Sequence, residues 1–343
     1  MLGKVSTCSR RTFLMVVAAV AAAAVAALPL VPLVVSAQGN ATVATALPQG
    51  TMRIIVPYSP GGGTDILARA IAQQLGELLH RSVIVDNRVG ANGTIGAAYV
   101  ARSPPDGLTM LLVPAGYAAN PALYQSLPYD QAKDLAPVTL LASGPLVLVV
   151  HPSLPVKSVK ELIALAKSQP GQLNVGNAGI GSLPHLSAEL FNVSAGVKLV
   201  SVPYKGAGPA LVDVLGGRVQ VYFMNILQCL PLIKDGKLRG LGVTSPQPSP
   251  IAPDIPPIAA TVPGFDMTNW YGMLVPAATP SETVHVLQGA LSSVLTQPDI
   301  KQKMYNEGMT VVASTPEQFT TFLARETAKY NRVIESAGIK NSL

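Results

Sequence analysis

The stretch Arg53-Ile54-Ile55-Val56-Pro57-Tyr58-Ser59-Pro60-Gly61-Gly62-Gly63-Thr64-Asp65, continuing through Ile66 to Leu79, decides how the rest of the chain is read. Arg53 to Val56 is a short β-branched run and Pro57 to Gly63 is turn chemistry. From there Leu67, Ala70, Ile71, Leu75, Leu78 and Leu79 recur at helical spacing. The pattern is a strand, a glycine loop and a helix. Consecutive glycines leave backbone N–H groups free of side-chain cover where a helix N-terminus adds partial positive charge, an arrangement suited to an anion. Alone, the loop reads equally well as a tight βα turn with no ligand, so the flanking chain has to decide.

Toward the N-terminus, Lys4, Arg10 and Arg11 precede an apolar run from Phe13 to Val35, and Val35-Ser36-Ala37 has the small-residue pattern of a signal-peptidase site before Gln38. Residues 1–37 are therefore expected to be a cleaved export signal, and residues 38–50 a flexible leader. Ser9-Arg10-Arg11-Thr12-Phe13-Leu14 resembles a twin-arginine signal, with Met15 where lysine is common, so both the twin-arginine and the Sec route stay open. A membrane anchor is the rival reading. Pro29 and Pro32 interrupt the run, and the small-residue site follows it directly.

Removing residues 1–37 takes away three basic side chains and no acidic ones, which lowers the formal charge from +6 to +3. So small a charge, with no basic run, gives no footprint for nucleic acid or an anionic membrane surface. Cys229 is then the only cysteine, and no cysteine or histidine pair stands at metal-ligand spacing. No metal, cofactor or disulfide is expected. Charged residues make up 12% of the chain, which fits a compact α/β protein with buried parallel strands.

Toward the C-terminus the units repeat. Ser82 to Asn87 reads as a strand, Ile95 to Ala101 as a helix and Leu108 to Val113 as a third strand, so the opening is βαβαβ with a parallel sheet and right-handed crossovers. Leu146 to Val150 is an apolar β run, and His151-Pro152-Ser153-Leu154-Pro155 after it marks a first domain crossing. Ser158 caps a helix to Ala166, with Glu161 three residues on. A second strand-loop-helix follows, with Leu173 to Asn177, Ala178 to Ser182, and Leu183 to Phe191, where Ser182 is a natural N-cap. A third runs from Leu199 through the loop Lys205 to Gly208 into Pro209 to Leu215. Pro246 to Pro263 is proline-rich and reads as an extended surface connection. Asn269 to Pro276 reads as a return strand, and Thr315-Pro316-Glu317-Gln318 caps a last helix ending near Ala337.

The order of these segments resembles a known family. Arg53 to Asp65, Pro105-Asp106-Gly107, His151 to Lys157, Gly179-Ile180-Gly181-Ser182-Leu183-Pro184-His185-Leu186, Val202-Pro203-Tyr204-Lys205-Gly206 and Gly236-Lys237-Leu238-Arg239 are similar, in that order, to the tripartite tricarboxylate transporter substrate-binding proteins, or Bug receptors. The resemblance spans nearly the whole chain after the signal. It implies an α/β, two-lobed Venus-flytrap of the type II periplasmic binding protein fold, with two mixed, mainly parallel sheets and a two-strand hinge. Lobe 1 is expected over residues 51–148 and 270–343, lobe 2 over 149–269, with hinge strands near Val147 to His151 and Thr268 to Leu274. The implied protein is a periplasmic monomer that captures a small carboxylate (a di- or tricarboxylate, an aromatic carboxylate or an acidic amino acid) and hands it to membrane transporter subunits.

Carried over residue by residue, the resemblance places Gly61, Gly62, Gly63, Thr64 and Asp65 in the first-lobe loop, and Ala178, Gly179, Ser182 and His185 in the second-lobe loop. Lys205 and Gly206 stand in the third loop. Physical chemistry supports such a pairing, because two opposed helix N-termini converge backbone donors on one anion. The first two loops carry no arginine or lysine, which favours a carboxylate over a phosphate. Tyr58 and Tyr204, at strand ends, offer hydroxyls or flat walls; Asn225 ends an apolar strand. Specificity is expected from loops such as Tyr117 to Pro121 and Ser143-Gly144.

Each nomination has a plainer rival. Asp65 pairs equally well with Arg69 at i+4, His185 with backbone, and Ser182 with its own helix. Asn225 also fits a turn, and Trp270 ordinary packing between lobes. A hydrolase is a minor alternative, since no G-x-S-x-G elbow surrounds Ser182, and no G-K-[ST] or G-x-G-x-x-G marks a nucleotide site. A sensory receptor that presents the same ligand to a signalling partner would use the same cleft.

Overall fold

The computed structural model describes residues 47–204 and 206–342. The export-signal segment and most of the leader lie outside the described residues, as does Lys205. The described end of the leader is held down: Leu47 is buried, and the Pro48 carbonyl accepts a hydrogen bond from Arg81 at 2.8 Å.

The first half of the chain builds β1 (Met52–Val56), α1 (Gly63–Leu79), β2 (Val83–Asn87), α2 (Thr94–Ala101), β3 (Thr109–Pro114) and a short α3 (Asn120–Leu123). A 16-residue strand, β4 (Leu135–Val150), leads into α4 (Val159–Ser168), β5 (Asn174–Asn177), α5 (Leu183–Ala195), β6 (Val200–Pro203), α6 (Ala207–Leu215), β7 (Val221–Asn225), α7 (Ile226–Lys234) and β8 (Arg239–Val243). The return consists of β9 (Thr268–Pro276), α8 (Ser281–Leu295), α9 (Pro298–Asn306), β10 (Thr310–Val311) and α10 (Pro316–Ser336).

The strands form a mixed sheet in the order β2-β1-β3-β9-β4-β7-β5-β6, with β8 and β10 also on β4. Pairing is parallel in β2-β1-β3 and in β6-β5-β7, the segments that read as βαβ units. Every ladder that involves β4 or β9 is antiparallel. The change of partners along β4 is what makes two lobes. Leu135 to Pro145 pair with β9, whereas Leu146 to Val150 pair with β7 and β8. The chain crosses back near Met267, whose N–H donates to Thr244, while Thr268 already pairs with Pro145. Register shifts at Pro137/Thr139, Leu140/Ala142 and Leu148/Val149 give β4 the local bends that a strand serving two ladders needs.

Burial follows the apolar patterning. Met52, Ile54, Leu67 and Ile71 pack with Leu287 and Leu291 of α8 on one face of the β2-β1-β3-β9 part of the sheet. Trp270 and Phe319 share the other face and meet edge-on at 6.0 Å between ring centres. The proline-rich connection does more than run over the surface. Ala252, Ile255, Ile258 and Val262 are buried from it, and residues 258–260 form a short 3-10 turn. Proline set the backbone expectation there, but the apolar side chains between the prolines still seek the core.

Candidate functional site

The register places the strand ends. β3 ends at Pro114 opposite Tyr271, close to where Thr268 pairs with Pro145, and β7 ends at Asn225 opposite Leu146. The carboxyl ends of the parallel strands of both lobes therefore point at the Pro145–Leu146 crossing from opposite sides. Open α/β sheets take their ligands outside such strand ends. The two edges meet: an ideal Cβ on Gly116, just past β3, would stand 3.7 Å from the Gly181 carbonyl of the second lobe.

At the first loop, Gly61 adopts φ +82° and Gly62 is the N-cap of α1, whose first turn no side chain caps. Asp65 is buried below. Its Oδ2 accepts from the Gly61 N–H and from Arg69 Nε, both at 2.9 Å, and its Oδ1 accepts from Asn87 Nδ2 at 2.9 Å. Asn87 Nδ2 also donates to the Tyr58 carbonyl at 3.1 Å, so one carboxylate fixes the loop at both ends. The Arg69 hydrogen bond, with help from Gly61 and Asn87, lowers the Asp65 pKa to about 2 against the cost of burial. Among the described residues, the partners of this carboxylate are Gly61 of the loop, Arg69 of α1 and Asn87 of β2. Gly63 lies under Tyr271, whose hydroxyl would come within 2.7 Å of a Cβ there. Burial, then the charge of Glu307, push the Tyr271 phenol up to about 12, with Thr64 opposing. Tyr58 donates to the Asn92 carbonyl at 3.4 Å, and Asn92 Nδ2 donates to Asn120 Oδ1 at 2.8 Å.

At the second loop, the Gly179 N–H donates to Asn177 Oδ1 at 2.9 Å, and Ala178 and Gly179 are partly exposed. Gly181 takes φ +77° and donates to His185 Nδ1 at 3.2 Å. Ser182 caps α5 by accepting the His185 N–H at 3.4 Å. His185 is buried and its Nε2 lies 3.8 Å from Glu189 Oε1. Because Nδ1 accepts, the ring proton sits on Nε2, and burial holds the pKa below the ordinary 6.5. Ser182 and His185 thus form a cap, with the imidazole turned to Gly181 rather than to the serine hydroxyl.

The remaining nominees are partly committed elsewhere. The Tyr204 hydroxyl donates to Asp213 Oδ2 at 2.7 Å, and Asp213 also pairs with Arg218. Gly206 opens α6 at φ +114° with no side-chain cap. Asn225 accepts from the N–H groups of Leu227 and Gln228 and donates to the Glu307 carbonyl at 2.6 Å, tying α7 in lobe 2 to the turn after α9 in lobe 1. Trp270 lies in the core of lobe 1, packed on Phe319 and Phe322. Sequence reading missed Tyr271, Glu307, Asn92 and the roles of Asn87 and Asn177. Tyr271, Glu307, Asn92 and Asn87 reach the loops through tertiary contacts over long sequence separations that no local pattern announces, whereas Asn177 acts locally on the Gly179 N–H two residues on.

A family model for the tripartite tricarboxylate transporter family receptor matches residues 67–339. The chain is 36% identical over 300 residues to protein BugT of Bordetella pertussis, covering 87% of this chain and 92% of that one. It is 33% identical over 291 residues to a UPF0065 protein from the tcbD-tcbE intergenic region of Pseudomonas sp., covering 84% and 87%. Among solved structures, R. palustris Rpa4515 with adipate is 37% identical at a TM-score of 0.73, covering 85% of this chain and 99% of that one. MatC from Rhodopseudomonas palustris with bound malate is 31% identical at a TM-score of 0.70, covering 84% and 100%.

Proposed function

The chain belongs to the tripartite tricarboxylate transporter receptor family, and on that premise we propose that it is a solute-binding receptor that closes two lobes on a small carboxylate and presents it to membrane subunits of a tripartite tricarboxylate transporter. One observation carries the reading. Glycine loops from opposite lobes open helices at facing strand ends, and α1 and α6 present first turns with no side-chain cap. Uncapped N–H groups and aligned peptide dipoles attract one anion from both sides.

The buried side chains of the first two loops serve the loops themselves, Asp65 accepting the Gly61 N–H and His185 the Gly181 N–H, which leaves ligand contact to backbone donors such as those of Gly62 and Gly63. Bound adipate and malate in two relatives support a carboxylate as the ligand class. The ligand lies between Gly61–Asp65 and Ala178–Ser182, flanked by Gly206, and contact with both lobes shifts the protein toward its closed state. The strands crossing at Pro145/Leu146 and Met267/Thr268 absorb the rotation. Residues 1–37 serve as the cleaved export signal that delivers the protein to the periplasm.

Titration calorimetry of the mature protein against mono- and dicarboxylates, amino acids, neutral amides and sugars tests the reading. Carboxylates are expected to bind in the micromolar range or tighter, and neutral amides not at all. Tight binding of sugars or of cations alone would remove the carboxylate claim.

A further inference from the structure

Glu307 sits where the two lobes and the first loop meet. Its N–H closes the end of α9 on Lys303 and Met304, and its carbonyl accepts from Asn225 of lobe 2 at 2.6 Å. The next residue, Gly308, has φ +72° and lies against Ile226 and Gly144 so closely that neither glycine has room for a side chain. The turn is therefore wedged beside the β4 crossing. The Glu307 side chain points the other way, toward the first loop. Its Oε2 stands 3.4 Å from the position a Cβ of Gly63 would take, beside the Tyr271 hydroxyl.

This carboxylate is only partly exposed, and among the described residues it forms no ion pair and its oxygens accept no hydrogen bond. Asp65, two residues past Gly63 on α1, has three donors; Glu307 has none among the described residues. A partly buried carboxylate without a donor resists a second negative charge nearby and favours a hydrogen-bond donor or a cation. Burial also raises its pKa, as that environment requires.

We propose that Glu307 is a specificity-determining residue of the cleft: it rejects ligands with a second carboxylate and selects those that pair one carboxylate with an ammonium or another hydrogen-bond donor. The inference rests on the reading of the cleft as a carboxylate site. It sets this chain apart from the relatives whose structures hold adipate and malate, both dicarboxylates.

The experiment is calorimetry with matched probes: butyrate, succinate, α-aminobutyrate and γ-aminobutyrate, with benzoate, terephthalate and aminomethylbenzoate as an aromatic set. The native protein should bind the better amino or plain monocarboxylate at least about tenfold more tightly than the dicarboxylate of the same set. In Glu307→Gln the dicarboxylate should gain, and the amino acid lose, at least about fivefold. Glu307→Lys should carry the same change further, and thermal melting identifies any variant that fails to fold. The inference is overturned if the native protein prefers the dicarboxylate, or if folded Glu307→Gln moves all classes together. If no carboxylate binds the native protein, the receptor reading itself falls and this inference goes with it; that result cannot be confused with unchanged ranking.

Discussion

The loops after β1 and β5 use one device with two chemistries. In each, a glycine with left-handed φ precedes the N-cap, and the third helical residue reaches back to accept that glycine's N–H. The pairs are Gly61 with Asp65 and Gly181 with His185. On the first loop the acceptor is a carboxylate held ionised by Arg69; on the second it is a neutral imidazole held so by burial. The caps differ as well, a bare Gly62 against Ser182. The requirement common to both loops is a preformed backbone cradle. The side chain that braces it is free to vary if it accepts one N–H.

Removing the braces tests this, and the first should matter more. Asp65→Ala leaves the Gly61 N–H, Arg69 and Asn87 without their shared acceptor, three charge-assisted bonds in all. It should cost about 3 kcal/mol in chemical denaturation and lower carboxylate affinity as the loop loosens. A loss below about 1 kcal/mol would show that the loop holds without its carboxylate.

Acidification should separate the two braces. The folded pKa of His185 lies below 6.5, so its contribution is complete above that value and is lost as pH falls through the lowered one. Asp65, at about 2 in the fold against 3.8, contributes fully above 3.8 and is lost only as pH falls through about 2. Between pH 6.5 and pH 4, hydrogen exchange at the Gly181 amide should accelerate relative to Gly61. Equal acceleration at both would erase the distinction. In His185→Gln the pH-dependent part of this difference should vanish.

The smallest effect belongs to the cap. Ser182→Ala removes one side-chain acceptor from α5 and should cost about 1 kcal/mol, while Ser182→Gly should cost only a few tenths. A loss of affinity well beyond the loss of stability would assign the hydroxyl to the ligand as well.

Much of this was legible in the chain. Val56-Pro57 into Gly61-Gly62-Gly63, and Asn177 into Gly179-Ile180-Gly181-Ser182, announce strand, loop and helix because glycine and proline restrict local backbone choices that no distant contact needs to impose. The Ser182 cap and the Asp65–Arg69 pair at i+4 are local too, and so were readable. The proline-rich connection reads as an extended surface segment yet buries Ala252, Ile255, Ile258 and Val262, because burial depends on where the chain returns, not on its backbone preference.

The βα units, their glycine loops and their order follow from near-neighbour sterics and hydrophobic period, and so are written locally in the chain. Tertiary structure alone decided that β4 changes partners between Pro145 and Leu146, that Tyr271 covers Gly63, and that Glu307 joins Asn225 to the first loop. Those contacts link residues from about 80 to more than 200 positions apart. Strand pairing and packing of the whole chain select them, and no local free-energy preference does.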